Sequence, residues 1–311
     1  MWPFIKLLPN SFHFRFVKWS PYTGMVSGML LVASVVLFFV QGLNLGIDFK
    51  GGTLIEVQTV GAAPLTELRN SLGAMGAHDA QVQGFGAPNS AMLRFMPAAG
   101  QSATEEAKAF ESKLSAQYPG IEFKRVEVVG PKVSGELFVS GIWALGLALL
   151  LMLGYIWFRF QLQFGLGAVV AVFHDIILTL GLLSFLRIEF SMTSIAALLT
   201  VIGYSMNEKV ITFDRLKENL RKYKTKPLRE IIDLSENERL SRTIITGSTA
   251  LLALGGCLMF GGPVLFPLVF TMTFGILIGT YSSVYVALPL ILIWGVRRND
   301  DAAEPLPAAG R

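Results

Sequence analysis

The chain has 311 residues, 52% of them apolar and 15% charged, and a mean hydropathy of +0.55. So few charges cannot cover a soluble globule of this size, which excludes a purely soluble protein. The net charge of +4 is too small an excess to indicate a nucleic-acid partner, and the single cysteine, Cys257, excludes a disulfide framework and any zinc site built on several thiolates.

A spanning helix needs about 20 mostly apolar residues to cross a hydrocarbon layer about 30 Å thick. Six segments meet that requirement, at 21–42, 137–158, 163–186, 191–213, 243–261 and 266–296, the last overlong and therefore tilted or partly interfacial. The first is too long for a signal-peptide core and is followed by Asn44, Leu45 and Gly46 rather than a cleavage site, so it reads as a retained anchor. Between the first two spans, residues 43–136 form a polar stretch holding ten acids and eight bases. Its pattern predicts a strand at Thr53 to Val60, a helix at Pro64 to Met75, strands at Ala80 to Phe85 and Ala91 to Met96, a helix at Thr104 to Gln117 and a strand at Ile121 to Val129. The order βαββαβ fits a small ferredoxin-like α+β domain.

Lysine and arginine resist translocation when they lie in short loops. Lys6, Arg15 and Lys18 precede the first span, residues 214–242 carry nine bases against six acids, and Arg297 and Arg298 follow the last span. With six spans these segments share one side, the cytoplasm, and the 43–136 domain lies outside. The 214–242 loop reads as an amphipathic helix, with Leu216, Leu220 and Tyr223 opposite Arg215, Lys217, Glu218 and Arg221. It suits an interfacial position beside anionic headgroups or docking on a cytosolic partner. The tail at 297–311 has a disordered composition.

Ionisable groups within hydrocarbon are costly and are functional candidates by default. His174 and Asp175 sit near the middle of the third span, Asn207, Glu208 and Lys209 lie deep in the fourth, and Arg215 stands at its cytoplasmic end. Asp175 has no base one turn away in its own helix, so it is protonated, hydrated or paired with a neighbouring helix. Glu208 and Lys209 are about 100° apart on their helix and face different neighbours. If Lys209 pairs with Asp175, proton binding breaks that pair and frees the fourth span; the alternative is a lysine snorkelling to the headgroups. His174 is either a relay or a packed, satisfied side chain. The His-Asp dipeptide raises metal-dependent hydrolysis, but adjacent helical residues do not face one point and no metalloprotease, nucleophile-elbow or phosphate-loop motif accompanies them, so no metal or cofactor is expected. Gly275, Gly279 and Ser282 permit close helix packing in the last span.

Gly46, Ile47, Asp48, Phe49, Lys50, Gly51 and Gly52, just beyond the first span, resemble the GIDFxGG motif of the SecD/SecF family. The likeness continues through Phe173-His174-Asp175, the run Phe190 to Ser205, Phe213 to Asn219, and Gly279 to Ser283. It implies a six-helix half of an RND-type membrane fold in the bacterial inner membrane, with both termini cytoplasmic. It also implies a noncatalytic subunit of the export machinery, acting with SecD near the SecYEG channel on a translocating preprotein and drawing on the proton or sodium gradient. The ion-coupling candidates it points to are Asp175, Glu208, Lys209, Asn207, His174 and Arg215, with Gly46, Asp48, Phe49, Gly51 and Gly52 as a hinge. Where many members carry asparagine, aspartate and a small residue, this chain has Asn207-Glu208-Lys209, a longer acid and an added cation. A self-sufficient small-molecule or lipid exporter working as a homodimer, and a scaffold with the buried acids as structural glue, are the rival readings.

Overall fold

A computed structural model describes residues 12–77, 80–96, 103–160 and 162–295. The tail at 297–311 and Lys6 lie outside the described residues. Among the described residues, ten helices and six strands run as a long helix, a compact α+β unit, and then a series of long helices.

Helix α1 (Phe16–Gln41) begins five residues before the expected span and carries Pro21 inside it, in its second turn, where the missing N–H leaves the Val17 carbonyl without its intrahelical bond. The chain then makes a two-residue strand β1 (Asn44–Leu45) and a single helical turn α2 (Ile47–Lys50). The α+β unit follows as β2 (Gly52–Gln58), α3 (Leu65–Ala74), β3 (Gln81–Phe85), β4 (Ala87–Phe95), α4 (Ala103–Gln117) and β5 (Glu122–Val129). The four strands form one antiparallel sheet in the order β3-β4-β2-β5. Alternation along β2 sends Ile55 and Val57 to one face, where they pack with Leu93, Phe95, Leu68, Leu72, Phe110 and Leu114 beneath α3 and α4.

The helices beyond the sheet are α5 (Pro131–Arg159), α6 (Leu162–Phe185), α7 (Met192–Lys222), α8 (Leu228–Phe260), α9 (Gly262–Ser282) and α10 (Leu288–Trp294), with a short strand β6 (Glu189–Phe190) between α6 and α7. A π-turn over Ser283–Ala287 joins α9 to α10, so the expected overlong segment is one 33-residue helical run. Pro289 lacks the N–H that would continue the α pattern through this point, which accounts for the wider turn. Among the described residues, five helical runs are long and apolar enough to cross a membrane: α1, α5, α6, α8 and the α9–α10 run. Six were expected. The segment 191–213 lies on α7, whose apolar stretch is interrupted by Asn207, Glu208 and Lys209, and α7 does not reach that apolarity.

The 214–242 segment is not a separate amphipathic helix. α7 runs on to Lys222 and α8 starts at Leu228, leaving five residues between two helical arms. Leu216, Ile231 and Ile232 are buried in the same core as Phe164, Phe213, Ile202 and Ile291, so the apolar stripe of this segment covers the helix bundle. Asn219 ties the arms together by donating to Ser235 Oγ (3.0 Å) and to Glu238 Oε2 (2.6 Å).

Candidate functional site

Two ionic clusters lie side by side where α6, α7, α8 and α9 meet. In the first, the Lys209 ammonium is fully buried and donates to Asp175 Oδ2 at 2.8 Å, with the Asp175 carboxylate 1% exposed. The same carboxylate oxygen accepts from Ser205 Oγ at 2.5 Å and Ser282 Oγ at 2.8 Å, while Oδ1 lies 3.0 Å from His174 Nδ1. Lys209 does not snorkel toward either end of the bundle; its remaining contacts are the hydroxyls of Ser205 and Ser282 and the Ser205 carbonyl at 3.4 Å.

In the second cluster, Glu208 meets Arg239 of α8 and accepts from Thr243 Oγ1 at 2.7 Å. Arg239 also grips Glu236, one turn back on its own helix, through Nε at 2.8 Å and 2.9 Å, and donates to Ser283 Oγ at 3.0 Å. The two clusters are separated by geometry that the sequence dictates. Glu208 and Lys209 are consecutive on α7 and point about 100° apart, and Ser282 and Ser283, consecutive at the end of α9, likewise send one hydroxyl to each cluster.

Close approach makes this possible. A methyl at Gly275 would run into the Val201 side chain, and one at Gly279 would lie 3.1 Å from Ser205 Cβ, so the glycines let α9 sit directly on α7 and bring Ser282 within reach of Asp175. Ionised throughout, the clusters hold three carboxylates (Asp175, Glu208, Glu236) and two cations (Lys209, Arg239), a net charge of −1. An uncompensated buried charge is costly, which makes these clusters the electrostatically most demanding part of the bundle.

At the other end of α7, the segment after α1 joins the sheet unit to the bundle. β1 pairs in parallel with β6, and Asp48 Oδ2 accepts from the Met192 backbone N–H at 2.9 Å, capping α7 from outside its own chain segment. Phe49 lies between Phe138, which it meets edge to face, and Phe190, whose ring is tilted against it, with ring centroids 5.7 Å from each. Gly46 leaves room for the Glu189 carboxylate, which pairs with Arg94 of β4 at 2.7 Å. Gly51 and Gly52 adopt φ of +75° and +117°, and a Cβ on Gly52 would lie 2.8 Å from the Phe95 carbonyl oxygen, so this turn into β2 requires glycine. Burial pushes the Glu189 carboxyl above its ordinary value, against the pull of Arg94.

Comparison with known proteins places these features. The family model for the SecD/SecF GG motif matches residues 36–63, and the model for the C-terminal part of the protein export membrane proteins SecD/SecF matches residues 109–297. The protein translocase subunit SecF of Rhodobacter capsulatus is 44% identical, over 97% of this chain and 95% of its own length, and that of Cereibacter sphaeroides is 45% identical, over 95% and 94%. The chain belongs to the SecD/SecF family of protein export membrane proteins. SecF of Rickettsia felis is 37% identical over 94% of this chain. The crystal structure of SecDF from Thermus thermophilus superposes with a TM-score of 0.83 at 31% identity, and SecDF in a super-membrane-facing form with 0.68 at 32%. Each superposition covers 94% of this chain and 39% of the SecDF chain, so the chain spans about two fifths of that larger protein.

In this member of the SecD/SecF family the expected residues divide into three groups. Asp175, His174, Lys209 and Ser282 converge on one point, and Glu208 stands beside them in the second cluster. Asn207 faces outward from the bundle, and Arg215 pairs with Glu218 and Glu238 nearer the end of α7, away from both clusters. Ser283, part of the Gly279 to Ser283 likeness, joins the second cluster, while Arg239, Glu236 and Thr243 belong to it and were not singled out from the sequence. The available signal was the Glu236–Arg239 spacing of three on the same helical face as Ile232, Ser235 and Thr243, all buried.

Proposed function

We propose that the chain acts as a SecF subunit that couples movement of protons, or of sodium ions, through the Asp175–Lys209 pair to late steps of preprotein export, in partnership with SecD and beside the SecYEG channel in the inner membrane. The observation that carries this reading is the buried ammonium of Lys209 on the Asp175 carboxylate, shared between α6, α7 and α9. A proton arriving at Asp175 removes the charge that holds Lys209, and the helices that meet there lose their common anchor. One charge crossing 100 mV supplies about 2.3 kcal/mol, enough to shift a two-state equilibrium about fiftyfold.

In this reading α7 is also a crossing, the fourth of six, the termini and the 223–227 turn are cytoplasmic, and the six crossings form half of an RND-type bundle whose other half SecD supplies. The α+β unit, with the strand order of a ferredoxin-like sandwich, then stands outside the membrane. α7 is the lever between the two ends. From Lys209 to the Asp48 cap at Met192 is seventeen residues, about 25 Å of continuous helix, and Asp48, Phe49 and the Arg94–Glu189 pair fasten its outer end to the sheet. A shift of α7 therefore moves the outer unit.

The test is Asp175→Asn in the full chain with its SecD partner. Gradient-dependent stimulation of export into membrane vesicles is lost while the two subunits still co-purify. Undiminished stimulation refutes the proposal and leaves the chain a structural brace.

A further inference from the structure

A cavity of about 910 Å³ opens between α1, α6 and α10 on the side of the bundle remote from the sheet. Lys18 and Arg229 stand at its mouth, both exposed and neither in a hydrogen bond or ion pair among the described residues. Its inner wall is formed by Ser27 and His174. Ser27 is nine residues beyond Lys18 on α1, so the cavity reaches about 14 Å into the bundle. There Ser27 Oγ lies 2.9 Å from the Tyr281 hydroxyl, whose ring stacks on His174 at 6.4 Å. The imidazole has two faces to satisfy. Nδ1 is engaged with Asp175 at 3.0 Å, but Nε2 is buried with no hydrogen-bond partner among the described residues, and the side chain is only 2% exposed. A buried ring nitrogen with no partner is costly, and beside an open cavity water is the group that relieves it.

We propose that His174 relays protons between water in this cavity and the Asp175 carboxylate. The inference rests on the ion-coupling role of Asp175 and adds the path to one side of the membrane. A proton from water bonds to Nε2 while the Nδ1 proton passes to Asp175 Oδ1. The ring remains neutral and changes tautomer; release through the same bonds in reverse, from Oδ1 to Nδ1 and from Nε2 to water, restores the starting tautomer. The charged and titratable groups around the ring are Asp175 on α6, Lys209 behind that carboxylate on α7, Tyr281 on α9, Tyr285 in the π-turn, and Lys18 and Arg229 at the mouth. Lys209 spends its donors on Asp175 and the two serines, so among these groups only His174 both touches the carboxylate and lines the cavity. Much of the wall is apolar, and the competing occupant is a lipid acyl chain.

Two measurements on the full chain with its SecD partner in vesicles decide the matter. In a Cys257→Ser background, Gly28→Cys places a thiol in the cavity wall where an added Cβ meets nothing within 4 Å. A charged, membrane-impermeant thiosulfonate applied from the Lys18 side labels it if water fills the cavity; labelling by apolar maleimide alone shows an acyl chain there and overturns the proposal. In the second, His174→Gln keeps an amide donor for Asp175 but cannot relay, and proton flux during export falls at least about a hundredfold, the lower end of the scale for a lost positioned proton-transfer group. Added imidazole restores flux to His174→Gly. Wild-type flux in His174→Gln beside a dead Asp175→Asn overturns the relay and leaves the Asp175 reading standing; wild-type flux in Asp175→Asn removes the parent reading itself.

Discussion

Replacing Asp175 by asparagine leaves the Lys209 ammonium fully buried with neutral oxygens for company, the hydroxyls of Ser205 and Ser282 and the Ser205 carbonyl at 3.4 Å. Removing one partner of a buried ion pair costs about 3–5 kcal/mol, chiefly because the remaining charge stays buried. The reverse change, Lys209→Met, leaves a carboxylate that still has donors in Ser205, Ser282 and His174, or that neutralises itself by taking a proton, so its cost lies at the lower end of that range. The double variant Asp175→Asn with Lys209→Met has no buried charge in this cluster and should be more stable than Asp175→Asn alone. The expected coupling between the two sites is about 2–3 kcal/mol, read as a double-mutant cycle on unfolding midpoints of the purified complex in detergent. Costs that add within about 0.5 kcal/mol would show that the two groups do not interact and would refute the pairing on which the coupling argument is built.

Gly275→Ala forces a methyl against Val201 and should cost about 1–3 kcal/mol, with Val201→Ala in the same chain recovering most of it; thermal unfolding of both variants checks this. Asp48→Ala removes the acceptor for the Met192 N–H and should cost about 0.5–2 kcal/mol, seen as faster amide exchange over the first turn of α7, while Asp48→Asn retains most of the protection. Glu189 binds its proton more tightly when folded than its ordinary value of 4.5 implies. Its stabilising contribution is therefore complete below that value and is lost as pH rises through the raised one, so the wild type should show a loss of stability over that window which Glu189→Gln does not.

The parts of the fold that could be read from the sequence are those in which local pattern and tertiary environment agree. β2 was legible because Ile55 and Val57, which pack beneath α3 and α4, alternate with the less buried Glu56 and Gln58. Asp175 and Lys209 were legible for the opposite reason, since a charge inside an apolar run violates its surroundings and must be matched across a helix interface. Arg239 offered no such contrast. It lies among nine bases and six acids, a composition that reads as a solvated loop, and its burial is set by α8 lying against α7 and α9, which no periodicity within residues 214–242 specifies. Arg94 and Glu189 escaped notice likewise, being charges in segments read as exposed, which meet only when the sheet settles onto the α6–α7 connection. The site therefore has two layers of different visibility. Charges carried within membrane-length apolar helices announce themselves, whereas the arginine that holds Glu208 becomes apparent only when α7 and α8 are followed beyond their apolar lengths as continuous helices. That continuity gives the second cluster a mechanical meaning as well. Arg239 connects Glu208, next to the Asp175–Lys209 pair, to a helical arm tied at Asn219 and Ser235, so under the proposed coupling a shift at Asp175 reaches both ends of the bundle, the sheet through α7 and the 223–227 turn through α8.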